Sequence, residues 1–164
     1  MPIDESRYEY VGFWARAWAS LVDTVLLGMI VWPLLTMIYG SEYWAPLTAA
    51  LGGSLAGSLD AIASAPSRGP VDDLVSWVLP AVAIVAFWIA RQATPGKMLI
   101  KAKIVDAETG APLTRRQAIF RYLGYYVSLF GLGLGFFRVG WDRRKQGWHD
   151  KLAGTVVIRD RRGN

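Results

Sequence analysis

Three long apolar stretches divide the chain. The first, Ala17 to Ile38, runs for 22 residues with Asp23 as its only charge, and about 20 apolar residues suffice to cross roughly 30 Å of hydrocarbon. The second, "LVSWVLPAVAIVAFWIA", covers Leu74 to Ala90; it lies at the short end of the spanning range, and Pro80 is placed to kink it. The third, "AIFRYLGYYVSLFGLGLGFFRVGW", covers residues 118 to 141 and carries basic residues at both flanks. Between the second and third, "RQATPGK" ends a helix, because Pro95 disfavours helical geometry at Thr94 and Gly96 permits a turn. The segment "MLIKAKIVDAETGAPL" then sets Ile100, Ala102 and Ile104 against Lys101, Lys103 and Val105 in partial alternation, as a strand does. "AETG" supplies a turn, and Thr114 with Gln117 fits a capping box that opens the next helix. Near the C-terminus "GTVVIRD" is β-rich and is expected to pair with residues 99–105 in a small ribbon.

Composition fixes the solvent in which this pattern is read. Hydrophobic residues make up 53% of the 164, eight of them are Trp, and the mean hydropathy is +0.27. That is too apolar for an ordinary soluble domain of this size. The expected fold is an all-α integral membrane protein in one domain, with spans at about 17–38 and 74–90, a third apolar helical segment at about 118–140, and a small cytoplasmic β ribbon. Trp14, Trp18, Trp32, Trp77 and Trp88 fall near the predicted helix ends and read as interface anchors. The N-terminus, "MPIDESRYEY", is acidic and is followed by no small-residue cleavage site, so it does not read as a secretory signal.

The formal charge of +5 acts mainly as a topology signal. The 40–73 connection holds one basic residue, Arg68, against Glu42, Asp60, Asp72 and Asp73. Residues 91–117 and the tail from 138 onward are strongly basic. By the positive-inside rule the connection faces outward, and the N-terminus, the 91–117 segment and the basic tail 141–164 face the cytoplasm. A single crossing of the third stretch would export that tail. Either "GLGLG", Gly131 to Gly135, is the tip of a re-entrant hairpin, or the chain crosses once more between Trp44 and Ala65. Re-entry is preferred, because Pro46, Asp60 and three glycines interrupt the 44–65 stretch. That stretch reads better as an external amphipathic helix with Leu47, Leu51, Leu55 and Leu59 on one stripe. Contact with anionic lipids is expected and nucleic-acid binding is not.

The chemistry is concentrated in a few charges. Arg16 and Asp23 are seven residues apart and share a helix face with Ser20, with Thr24 beside it. An ionisable group at mid-bilayer costs about 2.5 to 3.5 kcal/mol on insertion scales, so it needs a partner or a watery cavity. Arg16 lies at the predicted boundary and can snorkel; Asp23 lies about 10 Å deeper, too far for a short carboxylate. Cysteine is absent and His149 is the only histidine, so no metal site and no cofactor are expected. No nucleophile, base and orienter can be assembled, which argues against an enzyme. "GLGLG" lacks the preceding strand of a dinucleotide loop, and "TPGK" lacks the first glycine of a phosphate loop.

"GFWARAWASLVDTVLL", "ATPGKMLIKAKIVDAETGAPLTRRQAIFRYLGYYVS" and "RRKQGWHDKLAGTVVI" together resemble the RDD family of prokaryotic membrane proteins over nearly all of residues 10–159. The family is named for one arginine and two aspartates, which match Arg16, Asp23 and, in "HDKLAGT", Asp150. The resemblance implies a multi-pass protein of the cytoplasmic (inner) membrane, with transport of ions or small solutes as the suspected activity. The 40–70 segment has no counterpart in that pattern.

Two functions are expected to compete. In the first, Asp23 alternates between a proton and a cation, Arg16 biases its charge, and Asp150 forms part of the cytoplasmic mouth. Two or three spans cannot enclose a pathway alone, so this version needs a homo-oligomer. In the second, Arg16, Asp23 and Asp150, supported by Ser20, Thr24 and His149, form a buried polar cluster that fixes packing in a scaffold or partner-recruiting module. A fold-back of the C-terminal ribbon is expected to bring Asp150 to Arg16.

Overall fold

The computed structural model describes residues 3–4, 6–54, 56–58, 60 and 69–161. Its contacts divide the chain into two units, Met1–Val25 with Ala81–Asn164, and Leu26–Pro80.

Among the described residues, two helical stretches are long and apolar enough to cross a membrane. The first is α1, Phe13–Tyr39, whose 27 residues rise about 40 Å. Trp18, Leu21, Val25, Met29 and Ile30 are all exposed on it, an arrangement suited to an apolar solvent and not to water. The second stretch is Pro70–Leu99. It comprises α3 (Pro70–Asp73), a π-helical turn (Leu74–Val78), α4 (Leu79–Arg91) and, after a break, α5 (Pro95–Leu99). The π-helical turn falls just before Pro80, where the proline ring would crowd the preceding turn and the missing N–H interrupts the ladder. The expected span of 74–90 is therefore extended at its N-terminal end.

The second unit, Leu26–Pro80, is organised by short polar and aromatic contacts. Trp32 stacks on Trp44 at 4.4 Å, and the Trp44 indole donates to Thr36 Oγ1 at 2.8 Å. Tyr43 OH donates to Asp72 Oδ1 at 2.5 Å, and Ser76 Oγ donates to the same oxygen at 3.2 Å. The amphipathic segment expected over 44–65 begins as α2, Ala45–Gly52, which ends at Gly53. Leu51 on it is 80% exposed. Leu55, Leu59 and residues 61–68 lie outside the described residues.

The first unit is built on a three-stranded antiparallel sheet in the order β1-β3-β2, with β1 Tyr8–Tyr10, β2 Ala102–Asp106 and β3 Thr155–Asp160. The expected ribbon is its β2-β3 half, registered Ala102 to Arg159 through Asp106 to Thr155. The expectation of an all-α fold with a two-stranded ribbon is corrected by β1, which pairs Tyr8 with Asp160 and Tyr10 with Ile158. Both sheet faces are covered. Ile104 and Val157 pack with Val11, Trp88, Leu113 and Ala118, while Val105, Val156 and Ile158 pack with Tyr8 and Tyr10. The alternation read at residues 100–105 therefore fails at Val105, which is buried on the second face.

The capping box at Thr114 and Gln117 starts α6, Arg115–Phe130. The chain then breaks at Gly131–Gly133 and continues through α7, Leu134–Phe137, and a 3-10 turn, Arg138–Gly140. The two parts are bent by 113°, the geometry of a broken span or a re-entrant loop. A last short helix, α8 (Trp148–Ala153), ends in left-handed geometry at Gly154 (φ 62°), which turns the chain into β3.

Candidate functional site

Asp150 occupies the first turn of α8, where its Oδ2 accepts the Gly147 N–H at 2.8 Å and so caps its own helix. The helix lies directly on α6. A Cβ at Gly124 would come within 2.7 Å of His149 Cα, so only glycine permits this approach. The consequence is that Arg121, one turn from Gly124 on α6, meets Asp150 Oδ1 through its NH1. The same NH1 donates to Thr155 Oγ1 at 2.6 Å, at the start of β3.

Arg16 closes the other side of the carboxylate. Its NH1 reaches Asp150 Oδ2 at 2.6 Å, its NH2 donates to the Lys145 carbonyl at 2.6 Å, and its Nε donates to the Val11 carbonyl at 2.9 Å. Val11 in turn donates its N–H to the Val157 carbonyl, which extends β1 along β3. Residues of the sheet and its extension, Thr155 and Val11, thus help to fix the two arginines. Arg16 is not a snorkelling anchor: it is buried and all three guanidinium nitrogens are engaged inside the protein.

Asp150 is fully buried and faces two guanidiniums. Burial pushes its carboxyl up, but Arg121 and Arg16, with the Gly147 N–H, outweigh that and hold it well below the usual carboxylate range. His149 shows the opposite balance. Burial lowers it, the pull of Asp150 is insufficient, and the field of Arg121, Arg16 and Lys97 adds to the depression, to about 3. Its neutral ring stacks on Tyr125 at 4.4 Å and lies 5.3 Å from Phe136, with Ser128 Oγ 3.3 Å from Nδ1.

Asp23 is not part of this cluster. Its Oδ1 accepts the Gly96 N–H at 2.7 Å and its Oδ2 accepts the Thr94 hydroxyl at 2.5 Å. Thr94 occupies the N-cap of α5 without capping it through its own side chain. The Asp23 carboxylate, reaching across from α1, caps that helix in its place. Gly96 is required because a Cβ there would run into the Ala19 carbonyl of α1. Thr24 is exposed and donates to the Ser20 carbonyl at 2.9 Å.

Ser20 lines a cavity of about 270 Å³ together with Arg16, Lys97, Arg121 and His149; Phe13, Tyr125, Phe136 and Val139 form its apolar wall. Arg121 and Lys97 were missed as site residues. Arg121 interrupts an apolar stretch just as Arg16 does, which was the available signal. Lys97 belongs to "TPGK", set aside as an incomplete phosphate loop. Trp88, expected at an interface, is 1% exposed and stacks behind the site, 5.4 Å from the Arg121 guanidinium. Among the described residues no group of three or more His, Cys, Asp or Glu could hold a metal ion.

The three residues of the R, D and D pattern therefore serve two joints, Arg16 with Asp150 at the sheet and Asp23 at the break before α5. An uncharacterized protein of Rickettsia prowazekii is 39% identical over 75 residues, covering 46% of this chain and 41% of that protein. The proline-rich antigen homolog of Mycobacterium tuberculosis is 29% identical over 96 residues, 54% of this chain and 40% of its own. This chain thus spans about two fifths of the length of these relatives. The uncharacterized membrane protein YteJ of Bacillus subtilis is 27% identical over 159 residues, 94% of this chain and 84% of its own. No solved structure is significantly similar. The RDD family profile matches residues 10–154, and the chain belongs to the RDD family of membrane proteins.

Proposed function

We propose that this protein moves an ion or small solute across the cytoplasmic membrane as a homo-oligomer, with its N-terminus in the cytoplasm. The observation that carries the reading is the cavity lined by Arg16, Lys97, Arg121 and His149 beside α1, because ionisable groups gathered about a cavity are suited to meeting a charged or polar solute. Two or three spans do not enclose a path, so neighbouring copies supply the remaining wall.

Proton-coupled cation exchange is the finer version. Asp150 is a poor coupling group, since two guanidiniums keep it charged. Asp23, whose partners are one hydroxyl and one N–H and no guanidinium, is the carboxylate assigned the coupling role. The test is purified protein in liposomes with an imposed pH gradient, wild type against Asp23→Asn. Cation-dependent proton flux lost in a folded Asp23→Asn protein supports the exchange. Full flux in that variant removes Asp23 from the coupling role. No flux for any monovalent cation in wild type removes the exchange itself.

A scaffold reading is favoured by one observation: both carboxylates make bonds that join elements, Asp23 to α5 and Asp150 to α1 and α6. On that reading Asp23→Asn is tolerated, because an amide retains one acceptor and much of the hydrogen bonding.

A further inference from the structure

The cavity beside α1 contains more positive charge than its surroundings balance. Arg16, Lys97 and Arg121 line it, and no carboxylate does. Asp150 lies behind it, shared between the two arginines. Asp23 binds Thr94 and Gly96. His149, the histidine of the lining, is held neutral above about pH 3. Three cations thus stand against two carboxylates: the two arginines share Asp150, and Lys97 reaches Asp23 only through the Thr94 hydroxyl that both contact.

Lys97 is 5% exposed. Among the described residues its ammonium makes one hydrogen bond, a long one of 3.4 Å to Thr94 Oγ1, and no ion pair. A lysine ammonium has three protons to donate, and burying it without a directly paired counter-charge is unfavourable. Arg121, which also lines the cavity, has its Nε buried with no hydrogen-bond partner among the described residues. The opposite wall is apolar and aromatic, formed by Phe13, Tyr125, Phe136 and Val139.

We infer that this cavity is an anion site, which takes an oxyanion carried on a small apolar body, with Lys97 as the principal counter-charge and the aromatic wall holding the apolar part. Two sources share that chemistry, a free organic carboxylate and the headgroup of an anionic lipid. The inference rests on the solute-moving role of the cavity only for its consequence, since occupancy can be measured without transport.

The experiment uses the full chain purified in detergent. Benzoate is titrated at constant ionic strength against chloride, with calorimetry and thermal unfolding as readouts, and co-purified phosphatidylglycerol is quantified by mass spectrometry. Lys97→Met is the informative variant. It keeps the length of the side chain and removes the charge, so the ligand-free protein should unfold at the same temperature or higher, whereas a purely structural lysine would leave it less stable. Saturable benzoate binding that raises the unfolding temperature and weakens by about tenfold or more in Lys97→Met supports a free carboxylate. Phosphatidylglycerol retained by wild type and lost from Lys97→Met supports the lipid source. Lys97→Arg, which keeps the charge, should retain either form of binding and guards against a folding defect in the methionine variant. Neither ligand bound by wild type, or binding indifferent to Lys97→Met, overturns the site. Benzoate binding without flux in liposomes leaves the site standing and ends its transport role; cation flux without anion binding does the reverse.

Discussion

At Asp150 three donors from three elements converge on one buried carboxylate: Arg16 from α1, Arg121 from α6 and the Gly147 N–H before α8. Removing that charge leaves two guanidiniums buried against each other, so Asp150→Asn is expected to lower stability by about 3 to 5 kcal/mol, measured by denaturant unfolding in detergent. The double exchange of Arg16→Asp with Asp150→Arg should not recover the loss, since Arg121 would then face an arginine where it had a carboxylate. His149, next in sequence, gives a pH signature. It protonates near 6.5 in the unfolded chain and near 3 in the folded one, so the unfolded state binds more protons between those values. Stability is therefore expected to fall as pH is lowered from about 6.5 towards 3. His149→Gln should flatten that part of the unfolding-temperature profile, while the loss below 3.8, where Asp150 contributes, remains.

Between elements, the joint of α1 with α5 shows why Asp23 is where it is. A five-residue helix starting with Pro95 has few bonds of its own, and among the described residues its first free N–H, at Gly96, is satisfied by Asp23. Asp23→Ala should cost about 1 to 2 kcal/mol, as loss of a cap does, and Asp23→Asn less. Gly96→Ala should be worse than either, because its methyl group meets the α1 backbone at Ala19; unfolding temperatures of the three variants give the order. At this scale the sequence was partly legible. The capping box at Thr114, the helix stop before Pro95 and the β2-β3 pairing follow from local rules of turn, cap and alternation. The third strand and the burial of Trp88 do not, since "YEY" is too short to show a period and an aromatic residue near a helix end suits an interface and a core equally. Lys97 was hidden for a related reason: its partners are set by the fold of α5 against α1, which no spacing in the chain encodes.

For the whole molecule, the sheet constrains topology more firmly than charge counting alone. Glu108 lies just beyond Asp106, which is registered against Thr155, while Asp160 at the far end of β3 is registered against Tyr8. A six-residue strand spans only about 20 Å, and paired strands cannot be separated by a bilayer, so positions 8, 108 and 160 belong to one side of the membrane. The chain between Asp106 and Thr155 must then return to the side it left, which the 113° bend after α6 permits without a complete crossing. Because the chain has no cysteine, single cysteines report without background. Glu108→Cys and Asp160→Cys should both be protected from a membrane-impermeant thiol reagent in intact cells and both become reactive on permeabilisation. Ser58→Cys, in the acidic connection, should be labelled from outside. Labelling at 160 but not at 108 in intact cells would be incompatible with the β2-β3 pairing and would make the third apolar stretch a full span. Labelling at both would keep the sheet and the return intact but place them outside, against the basic charge of residues 91–117 and of the tail.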